Sequence, residues 1–169
     1  FIKIRKISRS RKDFINNKIS LLKENSILTD ICGVKQDIVA FAEEIAIKNN
    51  INFVGGHPMA GRAVNGFENS VDSLFISRSY ILTKTENTKP EAIEALSEMA
   101  YDLGCSDVTI TTPKKHDKLI AFTSQLPHIL AGTYVKSPAS DEHKGFSAGS
   151  YHDVSRVASV DENLWSELF

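Results

Sequence analysis

The sequence predicts an α/β protein: an open sheet with substantial parallel pairing over residues 1–112, followed by an all-helical segment over 113–169. Three observations predict it. Short β-rich runs alternate with helical stretches through the first part of the chain, the pattern of βαβ units. After Pro113 the apolar residues settle into a sustained helical period. The composition, 169 residues with 41% hydrophobic and 24% charged, suits one full globular domain or parts of two.

The elements follow in order. Residues 11–24 carry Phe14, Ile15, Ile19, Leu21 and Leu22 at roughly helical spacing. Residues 26–30 (SILTD) form a short β-rich run. Residues 37–48 place Ile38, Val39, Phe41, Ala42, Ile45 and Ala46 on one helical face. Residues 51–54 are the next strand, and 55–78 read as a long, functional loop punctuated by Gly61, Asn65, Gly66 and Asn69. Residues 79–83 (SYILT) are a strand. Residues 90–103 are a helix with Pro90 in its first turn, Glu91 and Glu94 near its positive end and Gly104 as its stop signal. Residues 107–111 (DVTIT) are the last strand. From Lys114 to about Lys136 one long helical pattern runs through Pro127, which should kink it. A Ser/Gly/Pro-containing loop follows over 137–149, and residues from about 154 to 169 are helical again in two pieces.

Composition excludes several function classes. Twenty Lys and Arg against 21 Asp and Glu leave a net charge of -1, which gives no footing for nucleic-acid binding. The basic N-terminal dozen residues read as a solvated helix face. No apolar run is long enough to span a membrane, and the N-terminus lacks the apolar core of a signal peptide. Cys32 and Cys105 lie far apart without metal-type spacing and read as small apolar residues in a reducing compartment. A cytoplasmic protein is expected. The chain opens at Phe1 and closes on the apolar stripe Leu164-Trp165-Ser166-Glu167-Leu168-Phe169, so a piece of a longer protein is expected.

Five histidines are present: His57, His116, His128, His143 and His152. None forms the His-x-x-x-His pair that puts two ligands on one helix face, so no metal site is expected. His116-Asp117 and His152-Asp153 are adjacent pairs that point to different sides of a helix. His57 stands out by its setting, Gly55-Gly56-His57-Pro58: an apolar run ends in glycines that permit a tight turn and close approach of a ligand, and Pro58 holds His57 extended. Histidine is suited to taking a proton near neutral pH. His128 follows Pro127 at the expected kink. Arg156 follows His152 and Asp153 after the Gly-containing loop. One base with one or two cations suits a carboxylate-bearing substrate, since Arg grips carboxylates bidentately. Each residue alone also fits a plainer role: His128 a hydrogen bond within a helix bundle, Arg156 a surface ion pair.

Four blocks in order resemble the prephenate dehydrogenase family, which includes the arogenate dehydrogenases of tyrosine biosynthesis. They are Thr29-Asp30-Ile31-Cys32-Gly33-Val34-Lys35, Gly55-Gly56-His57-Pro58-Met59-Ala60-Gly61, Ser124-Gln125-Leu126-Pro127-His128 and Tyr151-His152-Asp153-Val154-Ser155-Arg156. The resemblance implies the C-terminal half of a Rossmann-type nucleotide-binding domain, then the start of an all-α dimerisation domain. It implies oxidative decarboxylation of prephenate to 4-hydroxyphenylpyruvate with NAD or NADP, NAD favoured, in a homodimeric parent enzyme. By the same resemblance His57 is the catalytic histidine at the substrate's ring hydroxyl, His128 a substrate-site histidine and Arg156 a carboxylate-binding arginine. His152 takes the place of a residue, often lysine, near that site. Arg62, after Gly61, is a further candidate carboxylate contact. Asp30, Gly33 and Gly56, at the carboxyl ends of the first two strands, are the candidate cofactor contacts.

Three departures qualify the resemblance. Gly33 stands where the family commonly has a serine, and Gln125 where it often has histidine. No Gly-x-Gly-x-x-Gly occurs, although the fold's first strand and turn should carry it. Two other expectations therefore stand beside the main one: arogenate as substrate, and a catalytically incompetent piece that acts as an interaction module.

Overall fold

The computed structural model describes residues 8–62 and 66–158. Elements α1 (Ser8–Lys18), β1 (Ile27–Thr29), α2 (Gln36–Lys48), β2 (Asn52–Pro58), β3 (Ser79–Thr83), α3 (Pro90–Asp102), β4 (Asp107–Thr111), α4 (Pro113–Ile120), α5 (Leu126–Val135) and α6 (Gly149–Ala158) follow in chain order. The chain divides into two compact units inside α4, between His116 and Asp117.

The first unit is built on a four-stranded sheet in the order β1-β2-β3-β4. β1 and β2 are parallel, as are β3 and β4, while β2 and β3 run antiparallel. Successive side chains of β2 face opposite sides, as the pleat requires. Phe53 joins Ile38, Val39, Ala42 and Ala46 of α2 with Ile15 of α1. Val54 joins Tyr80 and Leu82 of β3 with Ala92, Leu96 and Ala100 of α3. Two apolar clusters thus flank the sheet. The small residues on α2 and α3 let each helix approach closely.

The caps behave as their residues dictate. Pro90 starts α3 without forfeiting a helical hydrogen bond. Gly104, at φ +89°, ends it, and the Cys105 N–H closes back on Ala100 O at 3.0 Å. Thr112 Oγ1 accepts from the Lys115 N–H at 3.3 Å, capping α4 just ahead of Pro113.

One sequence expectation is corrected here. The loop read over 55–78 starts late, because β2 continues through Gly55, Gly56, His57 and Pro58, each in register with β3. Glycine lowers strand propensity, which makes the run look like a turn. The glycines are needed because a Cβ on Gly55 would lie 2.8 Å from Val39 Cγ2, and one on Gly56 would lie 2.6 Å from the Asp30 carbonyl. The close approach they permit is made by the protein's own main chain and side chains.

In the second unit, a π-helical turn (Ala121–Gln125) joins α4 to α5, directly ahead of Pro127. The widened turn is how the helix accommodates a proline that cannot donate. α5 packs against α6. The last residues of the segment expected to be helical, 159–169, lie outside the described residues. Among the described residues, no helix is long and apolar enough to cross a membrane.

Candidate functional site

The sheet brings the first two sequence blocks together at the carboxyl ends of β1 and β2. Asp30 follows β1 directly. Its Oδ1 accepts from the Gly56 N–H at 3.1 Å and its Oδ2 from the Cys32 N–H at 2.8 Å. Lys35, wholly buried, donates to the same Oδ2 at 2.5 Å. One carboxylate therefore folds the turn after β1 and ties it to the strand that carries His57. The sequence offers Asp30 as a cofactor contact; its carboxylate is already engaged by Lys35 and two main-chain donors. Gly33 lies in the half-exposed turn between Asp30 and Lys35.

Tyr80 closes this network from β3. Its hydroxyl sits beside Gly56, 2.9 Å from where a Cβ there would be. Burial pushes the phenol up to about 12, and the charges of Asp30 and Cys105 add to the effect. A phenol so held stays protonated at any physiological pH.

His57 lies two-thirds of the way along the β2–β3 pairing, opposite Ile81, with its side chain half-buried. Its Nδ1 is 2.8 Å from Nε2 of His116, in the first turns of α4. The rings are tilted by 56° with centroids 5.1 Å apart, so the contact is a hydrogen bond between ring edges rather than a stack. His116 is 2% exposed. This partner was missed in the sequence, where His116 counted only as half of a His-Asp pair. The available signal was the Thr-Pro start of α4, which fixes where His116 falls on its first turns.

Arg62 is exposed and donates from Nη1 to the Asn69 carbonyl at 2.5 Å. That bond engages one edge of the guanidinium.

The second unit gathers the remaining candidates on α5 and α6. His128 Nδ1 donates to the Val157 carbonyl at 2.7 Å, joining the start of α5 to the end of α6. The bond places the neutral ring's lone pair on Nε2. Arg156 immediately precedes Val157 and is exposed, as is His152 one helical turn earlier on the same face. The helix is anchored by Tyr151, whose ring stacks on His143 at 4.4 Å and whose hydroxyl pairs with Ser140 at 3.3 Å. Among the described residues, no three His, Cys, Asp or Glu side chains gather as a metal site.

Comparison with known proteins gives the geometry a context. The model of "Prephenate dehydrogenase, nucleotide-binding domain" matches residues 9–108, and that of "Prephenate dehydrogenase, dimerization domain" matches 112–169. A prephenate dehydrogenase of Bacillus subtilis is 30% identical over 152 residues, covering 87% of this chain and 40% of that protein. A cyclohexadienyl dehydrogenase of Zymomonas mobilis is 29% identical over 153 residues, covering 87% and 51%. The solved prephenate dehydrogenase of A. aeolicus, in complex with hydroxyphenyl propionate and NAD+, superposes with a TM-score of 0.81 at 29% identity, over 97% of this chain and 58% of that one. Synechocystis arogenate dehydrogenase superposes with a TM-score of 0.75 at 27% identity, over 94% and 56%. The chain thus spans about half the length of these relatives.

Proposed function

The chain belongs to the prephenate dehydrogenase family, and from that membership we propose that the whole protein oxidatively decarboxylates prephenate to 4-hydroxyphenylpyruvate, a step of tyrosine biosynthesis, as a homodimer. The observation that carries the proposal is the placement of His57: β2 presents it beyond two tightly packed glycines, beside the turn that ends β1. Ligands of open α/β sheets bind outside the carboxyl ends of such strands.

The half-exposed turn at residues 31–34 fits the nicotinamide end of a dinucleotide, because Gly33 offers main chain without a side chain in the way. Asp30 would serve by shaping that turn, since its carboxylate is taken up internally. Gly56 would serve by allowing the two strand ends to meet. When bound, the cofactor accepts hydride from the ring carbon that bears the hydroxyl. NAD rather than NADP is proposed on the precedent of the A. aeolicus complex.

The chain's own residues supply the rest. His57 takes the hydroxyl proton as the carbonyl forms. The carbon–carbon bond to the ring carboxylate breaks, carbon dioxide leaves, and its electron pair completes the aromatic ring. Arg156, with His152 on the same helix face, would grip substrate carboxylate. His128, its Nδ1 committed to Val157, would meet a substrate donor through Nε2. Arg62 would add a carboxylate contact with the guanidinium edge that Asn69 leaves over.

The test is turnover by the whole protein with each of prephenate and arogenate, paired with NAD and then NADP, followed by reduced-nicotinamide absorbance. Prephenate with NAD should give the highest kcat/KM. Absence of turnover with all four pairs would reject the activity. Preference for arogenate would support the alternative that the Synechocystis structure motivates.

A further inference from the structure

We propose that His116 is a positioning residue that holds His57 in the one tautomer able to act as a base. The inference rests on His57 being that base, and it goes further by saying what makes it one. Its observation is the 2.8 Å contact between His57 Nδ1 and His116 Nε2.

Two ring nitrogens at this distance share a single hydrogen, with one ring donating and the other accepting. Both rings cannot be cationic across the contact, because two N–H groups would then face each other. Two arrangements remain for a neutral His57. If His116 donates, His57 carries its own hydrogen on Nε2 and has no lone pair there. If His57 donates from Nδ1, the lone pair sits on Nε2. Because His116 occupies the Nδ1 side, proton exchange with substrate runs through Nε2. Only the second arrangement gives a base.

The proton balance is simple. The substrate O–H bond breaks and an N–H bond forms at His57 Nε2. His57 becomes imidazolium and keeps donating from Nδ1 to His116. That hydrogen bond strengthens as the donor acquires charge. His116 neither gains nor loses a proton. It must therefore rest with its hydrogen on Nδ1, leaving Nε2 as the acceptor.

The fold holds His116 to this task. Thr112 and Pro113 set the start of α4, and the His116 N–H donates to Thr112 O at 2.9 Å, fixing the ring's origin on the first turn. The ring is 2% exposed, so water competes little for the shared hydrogen. Nothing in the sequence pairs residues 57 and 116. The contact exists because the strand bearing His57 and the first turn of the helix that follows β4, up to His116, belong to the same compact unit.

The test is nitrogen-15 NMR of histidine-labelled protein, which separates protonated from unprotonated ring nitrogens, on the wild type, His116→Gln and His116→Phe. Glutamine can present an amide oxygen near the position of Nε2; phenylalanine fills the space with no acceptor. The wild type and His116→Gln should show neutral His57 protonated on Nδ1 and bare on Nε2. His116→Phe should shift the population toward Nε2–H and lower kcat about tenfold or more, as a wrong tautomer does in related catalytic arrangements. KM should stay within about threefold, because substrate binding is untouched. His57 resting as Nε2–H in the wild type would overturn the proposal, even if neither variant folds. An unchanged tautomer in a folded His116→Phe would overturn it too. The spectrum needs neither substrate nor cofactor, so a wrong substrate assignment would leave this result readable.

Discussion

Replacing Lys35 by methionine probes the buried pair that anchors the strand bearing His57. Lys35 is 0% exposed, and its ammonium lies 2.5 Å from Asp30 Oδ2. Methionine keeps an unbranched stem of similar volume, so the change removes a charge rather than opening a cavity. The carboxylate left behind is 11% exposed and retains the main-chain N–H groups of Cys32 and Gly56. Removing one partner of a buried ion pair costs about 3–5 kcal/mol. With two donors still on the carboxylate, the lower end applies, about 3 kcal/mol, or a fall in Tm of about 6–12 °C for a chain of this size. Urea unfolding followed by circular dichroism measures it. Adding Asp30→Asn to Lys35→Met removes the stranded charge and should restore about 1 kcal/mol, the amide keeping one acceptor oxygen. A loss below about 1 kcal/mol for Lys35→Met, or a double variant no more stable than the single, would show that the pair does not hold the turn.

Other consequences follow from the same network and its surroundings. Tyr80 has a folded-state pKa of about 12 against an ordinary 10.0. The folded state holds this proton more tightly than the unfolded state. Its contribution is therefore complete below pH 10 and is lost as pH rises toward 12, about 3 kcal/mol in all at roughly 1.4 kcal/mol per unit. Unfolding in urea across that window should show the slope in the wild type and a shallower one in Tyr80→Phe. Gly56→Ala puts a Cβ 2.6 Å from Asp30 O, 2.8 Å from Thr29 Oγ1 and 2.9 Å from the Tyr80 hydroxyl. Two strands would have to part, so a stability loss of about 1–3 kcal/mol is expected by denaturant titration, and a neutral result would contradict the packing described. Cys105, whose thiol burial pushes up, should resist a disulfide reagent in a Cys32→Ser background until the protein unfolds. Modification in native buffer would show that the cluster around it opens.

The helices were the most legible part of the chain. α2 and α3 announce themselves by apolar period, and Pro90 and Gly104 mark the ends of α3 through fixed backbone requirements that hold in any context. Pro127 announced a disturbance, and the π-helical turn ahead of it is the form taken. β2 was harder, because its second half contains two glycines whose purpose is tertiary: they make room for Asp30, Thr83 and Val39, residues that local pattern cannot bring near. The same limit explains the site. His57 was legible from Gly55, Gly56 and Pro58, which present it. His116 was not, since its pairing joins positions 59 residues apart through the sheet. Asp30 was visible as a residue at a strand end, but its commitment to Lys35 and Gly56 depends on how the turn closes. His128 follows the middle course. Its place after Pro127 was clear, whereas its bond to Val157 required α6 to be folded against α5.

The central claim is that His57 is the base. The most direct measurement is kcat of His57→Asn in the whole protein with prephenate and NAD, alongside a far-ultraviolet spectrum that establishes folding. Removing a general base lowers the rate by about 10²–10⁴-fold, and a fall in that range with KM little changed is the expected result. A folded variant that retains kcat within about tenfold of the wild type would contradict the assignment.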